Sequence, residues 1–191
     1  MAVKKAAKKA AAKPAEAPVA AEKPKKASKY PYKKLVVPEA LQGVPNGKLS
    51  GKTLAAVKCG GQMWVGAAEA FNRMYDQAAT TGIKLRNIGD YRSFDAQLGL
   101  FKQRYALEDL GRKPTVTRTY ENATWYLKPG MAPCSTPGKS NHGLGLAIDL
   151  DVTSGKVLDW LCANAPTYGF YLQSDDPTSP EFEAWHWQYA G

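Results

Sequence analysis

The chain is poor in the residues that most small sites are built from. Among 191 residues there are two histidines, His142 and His186, and three cysteines, Cys59, Cys134 and Cys162. The cysteine number is odd and no two share a CxxC spacing, which argues against a disulfide framework or a structural zinc knuckle and leaves at most one optional bridge. No apolar run approaches the roughly 18 residues that a membrane-spanning helix needs. The N-terminus is positively charged, but only Ala, Lys and Pro follow it. An apolar h-region is lacking, so no secretory signal peptide is expected. Charge is also scarce once its location is considered. Residues 1–29 hold nine lysines against two glutamates, a balance of +7, which leaves only +2 of the total +9 for the rest. A basic groove for nucleic acid on the folded part is therefore not expected.

Residues 1–29 are low-complexity Lys/Ala/Pro with no aromatic residue. They read as a disordered basic tail, either a solvated arm or a contact for an anionic polymer. One folded domain is expected over 30–191. The stretch 35–41 reads as a strand, and Asn46-Gly47 as a turn. Residues 63–80 place Trp64, Ala68, Phe71, Met74, Tyr75 and Ala78 at helical spacing, with Gly82 beyond the end. A strand is expected over 83–91. Ser93 caps a helix over 94–110, closed by Gly111. The connection 112–140 carries Pro114, Pro129, Pro133 and Pro137 and reads as a long functional loop. A strand over 144–152, a helix over 154–165 and strands over 168–172 and 185–189 complete the chain. Without regular βαβ alternation, the pattern implies an α+β fold with a small, mainly antiparallel sheet and helices beside it.

Both histidines sit among carboxylates and turn residues. His142 lies in Ser140-Asn141-His142-Gly143-Leu144-Gly145-Leu146-Ala147-Ile148-Asp149, and His186 in Glu183-Ala184-Trp185-His186. A catalytic zinc takes about three His or carboxylate ligands and keeps one position open. His142, Asp149 and His186 supply such a set, and Gly143 and Gly145 allow the sharp turn that returns Asp149 to the same point. Zn2+ lowers the pKa of its water to near 7, and a base must still take the proton. Glu183, three residues before His186, is placed for that. Arg92, in Tyr91-Arg92-Ser93, offers a fixed cation for a developing oxyanion. Duller readings stand beside each. Asp151 shares a strand face with Asp149, Glu183 adjoins the surface residue Glu181, and Arg92 fits an ordinary ion pair. Trp185 and Trp187 read as wall and core, and Cys134 as a bystander.

These residues carry a resemblance. SNHGLGLAID is similar to the SxHxxGxAxD motif, EAWH to the ExWH motif and YRSFDAQ to the YRSxxxQ segment of the D-alanyl-D-alanine carboxypeptidase family of VanX- and VanY-type zinc peptidases, in that family's order and spacing, over about residues 40–190. The resemblance implies the hedgehog/DD-peptidase fold. It implies Zn2+ on His142, Asp149 and His186, with Glu183 as base and then acid and Arg92 on the substrate carbonyl. Ser140 and Gln97 would position the peptide. The implied substrate is a peptidoglycan stem peptide, cut as a D-Ala-D-Ala carboxypeptidase would cut it. An L-alanyl-D-glutamate endopeptidase and a non-catalytic zinc-bearing wall-binding or tail module stay open as alternatives.

Two other chemistries fit less well. A Ser140-His142-Asp149 hydrolase would put Ser and His two apart on one turn, without a GxSxG elbow. An iron oxygenase would want a His-x-Asp spacing and would leave Glu183 idle. Wall peptides lie outside the bacterial membrane, so the missing signal suggests a bacteriophage protein. It would be either a lysin released to the wall or a virion component among phage tail proteins, with a cytoplasmic dipeptidase as the alternative.

Overall fold

Two adjacent strands show how the central sheet divides its two faces. A computed structural model describes residues 28–191; the tail expected over 1–29 therefore lies, but for its last two residues, outside the described residues. In β7 (Ala147–Leu150) and β9 (His186–Tyr189) the strand period of two sends Ile148, Leu150 and Trp187 to one side and Asp149, His186 and Gln188 to the other. The first set is fully buried and forms the core. The second set faces the candidate site. β7 and β9 pair antiparallel with Ile148 opposite Trp187 and Asp149 opposite His186. The four-stranded sheet is completed by β3 (Asn87–Gly89) beside β7 and β8 (Phe170–Leu172) beside β9, all antiparallel.

Helix α1 (Val65–Thr80) covers the core face with Ala67, Ala68, Phe71, Met74 and Ala78, all buried. Phe71 meets Phe170 edge-on at 5.9 Å between ring centroids. A short hairpin, β1 (Leu54–Ala56) and β2 (Gln62–Trp64), leads into this helix, and α3 (Gly155–Asn164) packs Leu161 into the same core. A second, smaller core lies under a separate three-stranded antiparallel sheet, ordered β4 (Tyr105–Ala106), β6 (Ala123–Leu127), β5 (Thr117–Tyr120). There Phe101 of α2 (Phe94–Arg104) stacks on Tyr105 at 4.7 Å and meets Tyr120 and Trp125 edge-on. The mixed helix and antiparallel-sheet architecture is the α+β class expected from the sequence.

Several element boundaries differ from expectation. Residues 35–41 form no strand: Pro38 opens a single 3-10 turn, Glu39–Leu41. The strand expected over 83–91 shortens to Asn87–Gly89. The helix from 94 stops at Arg104, because Tyr105 turns extended to pair with Leu127. The connection 112–140 contains a hairpin, β5–β6. Its two-residue turn puts both Glu121 (φ 50°) and Asn122 (φ 59°) in the left-handed region that such turns require. Among the described residues no helix is long and apolar enough to cross a membrane.

Candidate metal centre and cleft

The site begins with a ladder pair. Asp149 and His186 are direct cross-strand partners on β7 and β9, so the sheet alone brings a carboxylate beside an imidazole. His186 Nδ1 lies 2.9 Å from Asp149 Oδ1. The third side chain comes from the 3-10 turn Asn141–Leu144, where His142 Nε2 lies 3.4 Å from the same oxygen. All three ligand atoms fall within 4.8 Å of one another, and both histidines are buried.

The turn that carries His142 is held by hydrogen bonds from three directions. Gly47 N–H donates to the Gly143 carbonyl at 2.7 Å, and Asn46 Nδ2 donates to the Ser140 carbonyl at 2.7 Å. Trp64 N–H donates to the Gly145 carbonyl at 2.9 Å, and Arg92 N–H to that of His142 at 3.1 Å. Gly145 has φ +62°, and a Cβ there would come 2.5 Å from Trp64 N, so both the conformation and the close approach exclude a side chain.

The chemistry of the donor set fits a zinc ion. A carbonyl oxygen can only accept, so the 2.9 Å contact between His142 Nδ1 and the Asp90 carbonyl fixes the proton on Nδ1 and leaves Nε2 as the lone-pair donor. Four ligands at about 2.0–2.1 Å in a tetrahedron sit about 3.3 Å apart. The 2.9 and 3.4 Å separations at Asp149 Oδ1 bracket that value. Burial works against the charge of Asp149, but the polar contacts with His142 and His186 outweigh it and hold the carboxyl well below the ordinary carboxylate range.

These side chains open into a cleft of about 230 Å³. Arg92 and Glu183 line it together with His142, Asp149 and His186, so five of the seven residues singled out in the sequence share one cavity. Glu183 stands in the turn before β9, and its carbonyl accepts from His186 N–H at 3.0 Å. Gln97 and Ser140 are buried and do not line the cleft. Gln97 Oε1 accepts from Arg92 NH1 at 2.9 Å, while its Nε2 donates to the Ser135 carbonyl at 2.6 Å. Ser140 contributes its backbone to the Asn46 clamp. Asp151, the rival to Asp149, is drawn away by Arg86.

Sequence reasoning did not find the rest of the wall. Leu100, Arg104, Ala132, Pro133, Cys134 and Ser135 line the cleft. Trp185 also lines it and is 42% exposed, whereas Trp187 is fully buried in the core. Burial pushes the Cys134 thiol up against the opposing pull of Arg104, Arg92 and Arg118. Gly89 was also missed. It pairs with Asp149 across β3 and β7, and a Cβ on it would come 2.8 Å from Asp149 Oδ2.

The chain is similar to known proteins in sequence and in fold. Residues 61–191 match the family model described as VanY, D-alanyl-D-alanine carboxypeptidase. The carboxypeptidase-like protein YodJ of Bacillus subtilis is 31% identical over 140 residues, covering 65% of this chain and 45% of YodJ. A D-alanyl-D-alanine carboxypeptidase of Enterococcus faecalis is 25% identical over 127 residues, covering 62% of this chain and 44% of that protein. The chain thus spans less than half the length of these two relatives. Among solved structures, VanYB in complex with D-alanine-D-alanine superposes with a TM-score of 0.53 at 20% identity, covering 77% of this chain and 82% of that one. The LD-carboxypeptidase LdcB superposes with a TM-score of 0.51 at 22% identity, covering 76% and 71%. At these identities the structural likeness speaks for the fold. The family match covers most of the chain, including every residue of the cleft, and the chain belongs to the VanY family of D-alanyl-D-alanine carboxypeptidases.

Proposed function

We propose that this chain is a zinc-dependent carboxypeptidase that removes the terminal D-alanine from peptidoglycan stem peptides. The observation that carries the reading is the convergence of His142, Asp149 and His186 within 4.8 Å, in one cleft with Glu183 and Arg92. Family membership and the D-alanine-D-alanine bound by VanYB, a protein of the same fold, support the substrate class.

When bound, zinc supplies Lewis-acid polarisation of the scissile carbonyl and acidifies the attacking water. The protein does the rest. His142, Asp149 and His186 would hold the ion, and the Asp90 carbonyl keeps His142 in the tautomer that leaves Nε2 free for it. The Glu183 carboxylate takes the proton of the attacking water and passes it to the departing amine nitrogen. The Arg92 guanidinium faces the oxygen on which negative charge grows, braced by Gln97. Gln97 and Ser140 act as positioning residues, Gln97 through Arg92 and Ser140 through the turn of His142.

The test is to incubate the zinc-loaded protein with a stem pentapeptide and with purified peptidoglycan, and to identify products by mass. Release of free D-alanine is expected. New L-Ala and D-Glu ends would replace this reading by the endopeptidase one, and zinc uptake without any cleavage would replace it by the non-catalytic one. Glu183→Gln is expected to lose turnover by at least about a hundredfold and to keep its zinc. The place of action is the cell wall. The relatives are proteins of Bacillus subtilis and Enterococcus faecalis, so a phage origin, phage tail partners and a virion location draw no support from them.

A further inference from the structure

Next to the metal cleft lies a larger pocket of about 540 Å³, separated from it by the ridge Pro133–Cys134–Ser135 and sharing Glu183 with it. We propose that this pocket is a second subsite, which takes the donor part of the stem peptide and grips a free carboxylate there with Lys34 and Arg118. The proposal rests on the peptidase reading above. The smaller cleft has room for the small leaving residue at the metal, and the donor remainder needs the larger space on the other side of Glu183.

One wall of the pocket is built by Tyr32, Lys34 and Leu35, which precede the family match at residue 61. This arm is fixed in place. Leu172 N–H donates to the Pro31 carbonyl at 2.9 Å, and Tyr32 bridges Leu172 in parallel at the edge of the sheet. The Lys33 carbonyl accepts from Gln188 Nε2 at 3.2 Å, and Gln188 Oε1 accepts from Asn141 Nδ2 at 3.0 Å. Gln188 is only 3% exposed, so a buried amide ties the arm to the residue beside His142.

Lys34 and Arg118 share the pocket wall with Glu181 and Glu183, yet neither cation is paired with a carboxylate. Among the described residues neither Lys34 nor Arg118 enters an ion pair, and the Arg118 guanidinium donates only to the neighbouring Thr117 carbonyl, at 3.0 Å. Glu181, also in the wall, is left to accept from N–H groups of the guest peptide. A guest carboxylate would supply the anion that these cations lack.

The experiment uses the zinc-loaded full chain and two tetrapeptide products, L-Ala-γ-D-Glu-L-Lys-D-Ala and the same peptide with the D-Glu α-carboxylate amidated. Calorimetry should find the acidic peptide bound at least about fivefold more tightly, with the ratio shrinking in high salt. In Lys34→Gln, Arg118→Gln and the double variant the ratio should fall toward one. Equal affinities in the wild type, binding of neither peptide, or a ratio retained in the double variant would overturn the proposal. Failure to hydrolyse the matching pentapeptide, with the ratio intact, would instead remove the peptidase reading and leave the pocket standing.

Discussion

Gly89 stands directly opposite Asp149 in the β3–β7 ladder, and its missing side chain is what leaves space for that carboxylate. Gly89 has no positive φ, so alanine is acceptable to its backbone. The added Cβ would come 2.8 Å from Asp149 Oδ2 and 3.3 Å from Asp149 Cβ, pushing the carboxylate off its place beside His186. Gly89→Ala should therefore fold normally and lose about 10- to 100-fold in zinc affinity, the range typical of disturbing the support of a metal ligand. Circular dichroism together with competitive zinc titration checks both halves. Unchanged affinity would mean that Asp149 is not held by this contact.

Gln97 spans the Arg92 guanidinium and the Ser135 carbonyl with both ends of its amide. Gln97→Leu keeps the volume and removes both bonds. Because Arg92 is needed mainly where charge develops, kcat should fall by roughly tenfold or more with a smaller change in KM and no loss of zinc. A change in KM alone, with kcat intact, would place Gln97 outside the chemistry.

Phe101 is the centre of the smaller core, fully buried among Tyr105, Tyr120 and Trp125. Phe101→Ala should cost about 3–5 kcal/mol of stability, read from a denaturant titration. The same helix ends in Arg104, whose NH1 donates to the carbonyls of Ala132 and Pro133 beside the cleft. Activity should accordingly fall even at temperatures where the variant remains folded.

Burial pushes the Cys59 thiol up to about 11, with a smaller upward push from Asp90 and opposing backbone hydrogen bonds. An unfolded chain releases that proton near pH 8.5. Between these values the folded protein holds a proton that the unfolded chain has lost, so this group's contribution to stability declines as pH rises through that window. Cys59→Ala should show a smaller loss of stability from pH 8 to pH 10.5 than the wild type, measured by urea midpoints. Parallel curves would show that the thiol does not govern the alkaline limb.

That His142, Asp149, His186 and Glu183 share one cleft was legible in the sequence because they lie in two short segments with fixed spacing. His142 and Asp149 lie within one ten-residue segment, and Glu183 and His186 within four residues. α1 was legible because its buried positions recur at helical period. The hairpin after Val116 was not, since its turn is Glu121-Asn122 and lacks the glycine that usually marks such turns. The same holds for α2, whose early end is set by the distant partner Leu127. Cys134 and Leu100 carry no spacing signal, and only tertiary packing brings them to the cleft, whereas Trp185 was expected as wall from its place beside His186. Gly89 looked like any glycine in a strand, because its meaning depends on the residue across the ladder. The clamp from Asn46 and Gly47 onto the turn of His142 was visible only as a turn, since its partner is nearly a hundred positions away.

Two of the three proposed ligands are neighbours on adjacent strands, while the third rides on a turn fastened from outside the sheet. The protein thus builds one half of the proposed site into its sheet and pins the other half against it. The rigid half is assembled whenever the sheet is, so little entropy is left to lose when an ion arrives. How far His142 stands from that pair is set instead by the contacts that Gly47, Trp64 and Arg92 make with its turn.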